Sequence, residues 1–100
     1  MAFRINYSEE KNQLLKATRG VCFEDVISAL REEKLLADKL HPSAKFKHQR
    51  LYVVQIGDYV YAVPYVKNIR KNEIFLKTIY PSRVLSKMYM KGKEHENTQK

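Results

Sequence analysis

The hydrophobic pattern of this chain changes its period near residue 35, and this change constrains the fold more than any other feature. Before that point, Phe23, Val26, Ile27 and Leu30 recur at the spacing of one helical face. After it, apolar residues alternate or run together in short segments bounded by turn residues, which is typical of strands. The sequence therefore predicts helices in the first third of the chain and a sheet in the remainder.

Two helices are expected in the first third, after a short edge strand at residues 3–5. Ser8 can cap a helix over residues 8–19, and Gly20 is a natural stop signal. The second helix follows at once, with Cys22 at the position where a capping serine is usual. A thiol at a helix N-terminus can be reactive, but no histidine or other base lies nearby in the sequence. A structural cysteine is therefore the favoured interpretation.

Four strands and a final helix are expected in the rest of the chain. The strands are residues 35–40, 49–56, 59–66 and 73–80. Gly57-Asp58 predicts a tight hairpin between the second and third of these strands. Pro64 lacks a ladder donor, so the third strand is expected to be interrupted, bulged or partly at an edge. Ser82 can cap the last helix, which follows Pro81. The expected buried stripe of that helix is Val84, Leu85 and Met88.

These elements predict one domain over residues 1–90 and a disordered polar tail over residues 91–100. The tail contains no aliphatic or aromatic side chain, so it has nothing with which to join a core. The fold class is α+β: a small, mostly antiparallel sheet with two N-terminal helices and one C-terminal helix packed on it. A chain of 100 residues with 44% hydrophobic content suits a single core.

The charge of the chain is unevenly distributed. Residues 1–33 contain five Lys or Arg against six Asp or Glu, whereas residues 34–100 contain fourteen against five. The two parts therefore have net charges of −1 and +9. This asymmetry favours a polyanion or an acidic protein as a partner, and the alternative is a lysine-rich surface that only confers solubility.

Several classes of function lack their sequence signals. No segment approaches the roughly 18 apolar residues of a membrane helix, and the N-terminus lacks the apolar core of a signal peptide. The single cysteine cannot form an internal disulfide, so a cytoplasmic protein without membrane association is expected. His41 and His48 flank Pro42 without a metal-ligand spacing, and no glycine-rich phosphate loop is present. No cofactor or metal is expected.

The strand over residues 73–80 and the turn after it supply the first candidate site residues. Lys77 interrupts an apolar strand, so it must either extend to solvent or line a cleft. Arg83 follows the Pro-Ser corner, where a strand end delivers a fixed cation to the surface. His48 and Arg50 could contact RNA, and His48 could also move a proton, although an ordinary solvated loop histidine is an equal alternative.

A row of tyrosines on the 59–66 strand leaves two interpretations open. Tyr59, Tyr61 and Tyr65 share one face with Val63, and Val60, Ala62 and Val66 share the other. The small aliphatic face suits a helix packed against it. The tyrosine face could stack on nucleic-acid bases, but half-buried packing is the favoured interpretation.

Four segments occur in a recognisable order over residues 3–90. They are Tyr7-Ser8-Glu9-Glu10-Lys11-Asn12, Arg19-Gly20-Val21-Cys22-Phe23-Glu24-Asp25-Val26, the 49–66 hairpin, and Ile79-Tyr80-Pro81-Ser82-Arg83 with Tyr89. With these segments the chain resembles BrnT-type toxins, members of the RelE-like group of bacterial toxin–antitoxin ribonucleases. It departs from many of them by Cys22, where serine is common, and by a last helix with fewer arginines.

The resemblance implies a RelE-like fold and a type II toxin that acts as a metal-independent endoribonuclease, cleaves mRNA and inhibits translation. Its implied partners are RNA and a cognate acidic antitoxin of the ribbon-helix-helix type, with a homodimer or a heterotetramer as possible assemblies. Arg83 and Tyr89 match the arginine and the aromatic acid/base of RelE-like enzymes, and Lys77 and Arg50 resemble sheet-borne cations of the same site. The candidate catalytic residues are Arg83, Lys77, Tyr89 and His48, and the candidate RNA-binding residues are Arg50, Lys87, Lys47 and Lys45.

In this chemistry the ribose 2′-hydroxyl attacks its own phosphate, so the protein supplies no nucleophile. Arg83 and Lys77 would stabilise the charge that develops on the phosphoryl oxygens, and Tyr89 or His48 would transfer a proton. A tyrosine side chain ordinarily titrates near pH ~10, so this role requires cations close to Tyr89, with Arg83 and Lys87 as the candidates. Two alternatives remain: a non-catalytic basic module that binds RNA or an acidic protein, and a small DNA-binding regulator, for which no helix-turn-helix spacing is found.

Overall fold

A computed structural model describes residues 3–98, with side chains described as far as residue 90. The strands are β1 (Arg4–Tyr7), β2 (Leu35–Leu40), β3 (Arg50–Ile56), β4 (Tyr59–Asn68), β5 (Glu73–Leu76) and β6 (Tyr80–Pro81). The helices are α1 (Glu9–Arg19), α2 (Phe23–Arg31) and α3 (Arg83–Thr98), and a short 3₁₀ turn, Ala44–Phe46, lies between β2 and β3. None of the helices in the described chain is long and apolar enough to cross a membrane.

Local capping explains where the first two helices begin and end. Ser8 Oγ accepts a hydrogen bond from the Lys11 amide at the start of α1. Gly20 ends this helix with φ of 67°, a left-handed conformation that glycine adopts without strain. At the start of α2, the Cys22 amide donates to the Asp25 carboxylate at 3.0 Å. The expected α1 boundaries and the Cys22 cap position are confirmed.

The strands form one mixed sheet in the order β1-β5-β4-β3-β2, with β6 also paired to β4. The β1–β5 pair is parallel, and the remaining pairs are antiparallel. The expected 57–58 hairpin joins β3 and β4, whose register runs from Ile56↔Tyr59 to Arg50↔Tyr65. The predicted α+β class, with a mostly antiparallel sheet, two N-terminal helices and one C-terminal helix, is confirmed.

Pro64 disturbs the neighbour of β4 rather than β4 itself. The strand is continuous over ten residues and lies in the interior of the sheet, so the expected break or edge position in this strand is wrong. The Pro64 carbonyl accepts from the Lys77 amide, so the side of Pro64 that lacks an N–H also faces β5. On that side the expected 73–80 strand divides into β5 and β6, with one extra residue between the pairs Tyr65↔Leu76 and Ala62↔Tyr80.

The helices lie on opposite faces of the sheet. On one face, α1 and α2 cover the main core. Its buried members are Leu15, Val21, Phe23, Val26, Ala29, Tyr52, Val54, Val63, Tyr65, Ile74, Leu76 and Ile79. On the other face, α3 covers a smaller core of Leu51, Val53, Val60 and Ala62. The small aliphatic face of β4 therefore receives a helix, as expected.

The rotation of α3 about its axis differs from the expected one. Leu85, Tyr89 and Met90 pack on the sheet, whereas Val84 is 69% exposed and Met88 is 61% exposed. The Val60 backbone fixes this rotation, because its carbonyl accepts from the Ser82 amide and its N–H donates to Ser86 Oγ. Expected burial of Val84 and Met88 is therefore wrong, whereas that of Leu85 is right.

The backbone of α3 continues as helix to Thr98, past the expected domain end at residue 90. The expected disordered tail covers residues 91–100. The side chains of all these residues, and the backbone of the last two, lie outside the described part of the chain. The predicted domain end and the predicted tail both stay predictions.

Candidate nucleic-acid interface

Arg83 and Lys87 lie one helical turn apart on the exposed side of α3. The helix starts after Ser82, whose Oγ accepts from the Leu85 amide at 3.0 Å, so this cap fixes the position of Arg83 at the first turn. Within the described residues, neither cation has a carboxylate oxygen within 4.0 Å. Both are therefore available to bind an anion.

Lys77 lies on the same side of the sheet as α3. Ile74 and Leu76 face the α1/α2 core, so the alternate residue Phe75 points to the α3 side. The Lys77 Nζ lies 5.5 Å from the centroid of the Phe75 ring, which places the ammonium on that side as well. Lys77 is exposed, which agrees with the first of its two expected positions, extension to solvent rather than the lining of a cleft.

The distance between Lys77 and the start of α3 follows from the register of β4. The Lys77 amide bonds to Pro64, and the Ser82 amide, next to Arg83, bonds to Val60. Four residues of strand separate these two points, or roughly 13 Å at ~3.3 Å per residue. Long side chains at both points face one surface, and an extended oligonucleotide can span such a distance.

Tyr89 lies on the inner side of α3. Its ring packs against the small core under this helix, next to Leu85. Its hydroxyl makes no hydrogen bond with any other described residue. Packing is therefore the first role of Tyr89.

Arg50 lies on the opposite face of the sheet and is paired with a carboxylate. Its Nε donates to Asp38 Oδ1 at 3.1 Å and to the Tyr65 hydroxyl at 3.2 Å. The Tyr65 hydroxyl itself donates to Asp38 Oδ1 at 2.6 Å. The hydrogen bond with Tyr65, and then the Asp38 charge, raise the pKa of Arg50 above its ordinary value. Burial, and then the hydrogen bond to Asp38, raise the pKa of Tyr65.

Lys45, Lys47 and His48 lie in the connection between β2 and β3, and all three are exposed. The connection adjoins Arg50 at the start of β3, whereas α3 begins beside Val60, which is paired with Gln55. Five residues of strand separate the two regions, roughly 17 Å at ~3.4 Å per residue. The loop is shaped by its own contacts, including a hydrogen bond from the Ser43 amide to His41 Nδ1.

The predicted site residues therefore form three groups. Lys77, Arg83 and Lys87 share the α3 side, with Tyr89 beneath the helix. Lys45, Lys47 and His48 form a separate basic loop, and Arg50 is held by Asp38 on the α1/α2 side. The sequence led us to expect all these residues at one site. Only the residues of the first group lie on the same side of the sheet as α3.

The tyrosine face of β4 lies under helices α1 and α2 and is packed. Tyr65 is fully buried, and its ring stacks on that of Tyr52 with centroids 3.9 Å apart. Bases cannot reach Tyr65 without displacing a helix, so packing is its role, and Tyr61 packs half-buried against the same core. Cys22 is likewise placed for structure, because burial raises the pKa of its thiol and so disfavours the reactive thiolate.

Sequence reasoning missed a polar network between β1, α1 and α2. Asn12 is fully buried, and its amide oxygen accepts from the Phe23 amide at 2.7 Å. Its amide nitrogen donates to Glu24 Oε1 at 3.0 Å, and the Tyr7 hydroxyl donates to Glu24 Oε2 at 3.3 Å. These residues lie within two of the segments on which the family resemblance rests, so that likeness includes structural positions.

Comparison of the chain with models of protein families, with curated proteins and with solved structures finds no match. The functional conclusion therefore depends on the geometry described above and on the resemblance of the sequence segments.

Proposed function

We propose that this chain is the toxin of a type II toxin–antitoxin system, a metal-independent endoribonuclease that cleaves mRNA in the cytoplasm and inhibits translation. The observation that carries the proposal is the set of cations on the α3 side. Arg83, Lys87 and Lys77 are exposed, point to one side of the sheet and have no carboxylate partner among the described residues. Exposed cations without partners contribute to the affinity for a polyanion, because each phosphate that they neutralise releases its counterions.

The roles of these residues follow from the chemistry of 2′-hydroxyl attack. Arg83 at the first turn of α3 and Lys77 on the sheet contact the phosphate and stabilise the charge that develops on its oxygens. Lys87 binds a neighbouring phosphate one turn further along the helix. Tyr89, the proton carrier that the resemblance implies, packs on the inner side of α3, whereas Arg83 and Lys87 lie on the exposed side of that helix, so its proton-transfer role stays a prediction.

The proposed partner in the cell is a cognate acidic antitoxin of the ribbon-helix-helix type. An acidic protein complements the net charge of +8 and competes with RNA for the same cations. A heterotetramer, or a homodimer of the toxin alone, is the assembly proposed from the resemblance.

Controlled expression in a bacterial host tests the proposal. We expect induction of the unaltered chain to arrest growth and to degrade mRNA, and we expect the double variant Arg83→Ala/Lys87→Ala to relieve both effects. The matched control is Lys16→Ala/Lys34→Ala, which removes the same charge from exposed positions outside the proposed interface. Equal arrest by the Arg83/Lys87 variant, at equal protein levels, would contradict the proposal.

A second candidate function is a non-catalytic module that binds RNA or an acidic partner. The separation of Arg50 and His48 from Arg83 favours it, because fewer candidate catalytic groups share one surface than the sequence suggested. The purified chain and a short labelled oligoribonucleotide in EDTA distinguish the two functions. Cleavage supports the ribonuclease, and binding without cleavage supports the module.

The salt dependence of binding tests the shared interface in either case. For single-stranded nucleic acid, each lost phosphate contact lowers the slope of log K against log salt by about 0.7. We expect Arg83→Ala/Lys87→Ala to lower the slope by about 1.4 on this basis. The Lys16/Lys34 control is expected to leave the slope unchanged, and an equal change in both variants would show that the binding is diffuse.

A further inference from the structure

A groove runs along the free edge of the sheet at β1, on the side away from the candidate nucleic-acid interface. Its volume is about 660 Å³, and β1 and α2 supply most of its walls. The lining is apolar at Phe3, Ile5, Ile27 and Leu30. No strand in the described chain pairs with the outer side of β1, because β1 is the terminal strand in the order of the sheet.

The backbone of β1 is arranged to accept another strand. The Arg4 amide donates to the Asn72 carbonyl, so Arg4 directs its backbone groups towards β5. In a parallel pair alternate residues face opposite sides, and Ile5 therefore directs its N–H and C=O to the open edge. The Ile5 side chain contributes to the groove. A strand added beside β1 could therefore form backbone hydrogen bonds with Ile5 and place apolar side chains in the groove, as in recognition by strand addition.

The charge around the groove is positive. Arg4 and Arg31 line it, and neither has a carboxylate oxygen within 4.0 Å among the described residues. The Arg4 guanidinium donates to the Lys71 carbonyl, in the turn before β5. Glu73 is the acidic member of the lining, and the Asn6 amide donates to its carboxylate. An occupant with acidic side chains beside apolar ones complements this rim.

The two edges of the sheet differ in a way that supports a function for β1. At the opposite edge, β2 carries a bulge between Leu35 and Ala37, and Asp38 and Lys39 lie in its centre. Bulges and charges of this kind prevent pairing at an edge. Strand β1 has no bulge, and its one charged residue is Arg4, a cation that an acidic segment would complement.

We propose that the β1 edge and its groove bind an acidic segment of a partner protein, which adds a strand beside Ile5 and inserts alternate apolar side chains between β1 and α2. RNA is disfavoured as the occupant because Phe3, Ile5, Ile27 and Leu30 make half of the lining residues apolar and Glu73 would repel phosphate. A second copy of the chain is disfavoured because it would bring Arg4 and Arg31 against like charges on a protein of net charge +8.

A short blocked peptide of alternating valine and glutamate is the probe. Titration into the ¹⁵N-labelled chain is expected to shift the amide resonances of residues 3–7 and 27–31 and to slow hydrogen exchange at Ile5. The same peptide with lysine in place of glutamate is expected to bind at least about tenfold more weakly, since its charges oppose the arginines. In an added strand, alternate peptide amides face β1 and solvent. Methylation of the set that faces β1 is expected to abolish binding, and methylation of the other set is expected to be tolerated.

Charge reversal separates a specific rim from general attraction. Arg4→Glu/Arg31→Glu is expected to weaken binding of the glutamate peptide by about tenfold or more. The control, Lys16→Glu/Lys34→Glu, makes the same change in net charge at other exposed positions and is expected to leave affinity within about twofold. Circular dichroism of both variants confirms that each is folded.

Four outcomes would overturn the inference. They are equal binding of the glutamate and lysine peptides, resonance shifts outside the groove, tighter binding of a short oligouridylate to the same residues, and self-association of the free chain that Arg4→Glu/Arg31→Glu abolishes. The groove does not overlap Arg83, Lys87 or Lys77. A failed peptide experiment therefore leaves the growth and cleavage tests of the proposed function unaffected.

Discussion

The two faces of the sheet differ in how completely they are closed. Helices α1 and α2 cover one face, where polar groups are bonded to one another: Asn12 to Phe23 and Glu24, and Asp38 to Arg50 and Tyr65. The other face has one helix, which leaves cations exposed without carboxylate partners among the described residues. Arg50 on one face is thus held by a carboxylate, whereas Arg83 on the other face is available to a ligand.

This difference teaches that the charge of a residue says less about its role than the face on which it lies. Arg50 and Arg83 are both arginines at the end of a strand or just beyond one, and both were candidates for one site. Only Arg50 has an acidic neighbour, because β2 places Asp38 beside it. If the bonded networks of the closed face are structural, substitution of Asn12 or Tyr65 will change the free energy of unfolding, whereas substitution of Arg83 or Lys87 on the open face will change binding.

Asn12→Ala is expected to have the largest effect on stability. It removes the acceptor of the Phe23 amide and the donor to Glu24 at a fully buried position, so we expect a loss of about 2–4 kcal/mol in the free energy of unfolding. Urea denaturation measures it. Gln13→Ala, at the exposed neighbouring position, is the control and is expected to change stability by less than about 0.5 kcal/mol. Similar losses in both variants would contradict the view that the bonded polar groups of the closed face stabilise the fold.

Tyr65→Phe is expected to lower the free energy of unfolding by about 1–2 kcal/mol. The change keeps the ring stack with Tyr52 but leaves Asp38 and Arg50 without the hydroxyl. Tyr61→Phe is the matched control on the same strand, since the Tyr61 hydroxyl makes no hydrogen bond with the described residues. An equal loss in the control would show that the Asp38 network contributes nothing of its own.

Ser86→Ala is expected to cost about 1 kcal/mol, by leaving the Val60 amide without its acceptor beneath α3. Thermal unfolding provides the measurement, and Ser28→Ala, at an exposed position of α2, provides the control. A loss as large as that of Asn12→Ala would mean that the α3 face is held as firmly as the other one.

Glu24 is expected to give a smaller effect that depends on pH. Its hydrogen bond from Asn12 lowers the pKa of the Glu24 carboxyl from 4.5 to about 2. The folded state therefore gains stability above the ordinary pKa and loses it as the pH falls from about 4.5 to about 2. Glu24→Gln should remove this part of the pH dependence in urea denaturation. Glu10→Gln, exposed on α1, should retain it.

Val84→Thr/Met88→Gln is expected to have the smallest effect. Both side chains are exposed on α3, so the free energy of unfolding should change by less than about 0.5 kcal/mol. The contrasting variant is Leu85→Ala, which removes a packed side chain from the same helix. If the exposed pair proved as sensitive as Leu85, the position of α3 described here would be wrong.

Local signals explain why much of the fold could be predicted from the sequence. Ser8, Gly20 and Ser82 act within a few residues of themselves, so the ends of their helices were expected where they occur. The faces of β4 also followed from simple alternation. These features need no information about the rest of the molecule.

The features that were mispredicted depend on contacts between distant segments. The rotation of α3 is fixed by two hydrogen bonds with Val60, which accepts from the Ser82 amide and donates to Ser86 Oγ, 22 and 26 residues away in the chain. Two spacings would bury either Leu85 with Met88 or Leu85 with Tyr89, and only the sheet selects between them. The sequence could have shown that Arg50 and Lys77 lie on different faces of the sheet, because Arg50 and Tyr52 are two residues apart on β3 and so share a face. The ion pair of Arg50 with Asp38 required the register of β2.

The parallel pairing of β1 with β5 has a consequence for the order in which the protein can be completed during translation. The first strand finds its partner, at Glu73, 69 positions later in the sequence. A nascent chain that ends before β5 lacks the native partner of β1, so the backbone of β1 cannot form this pairing until β5 emerges. Such distant pairing slows folding, so the ribosome must nearly finish the domain before its first strand can be incorporated.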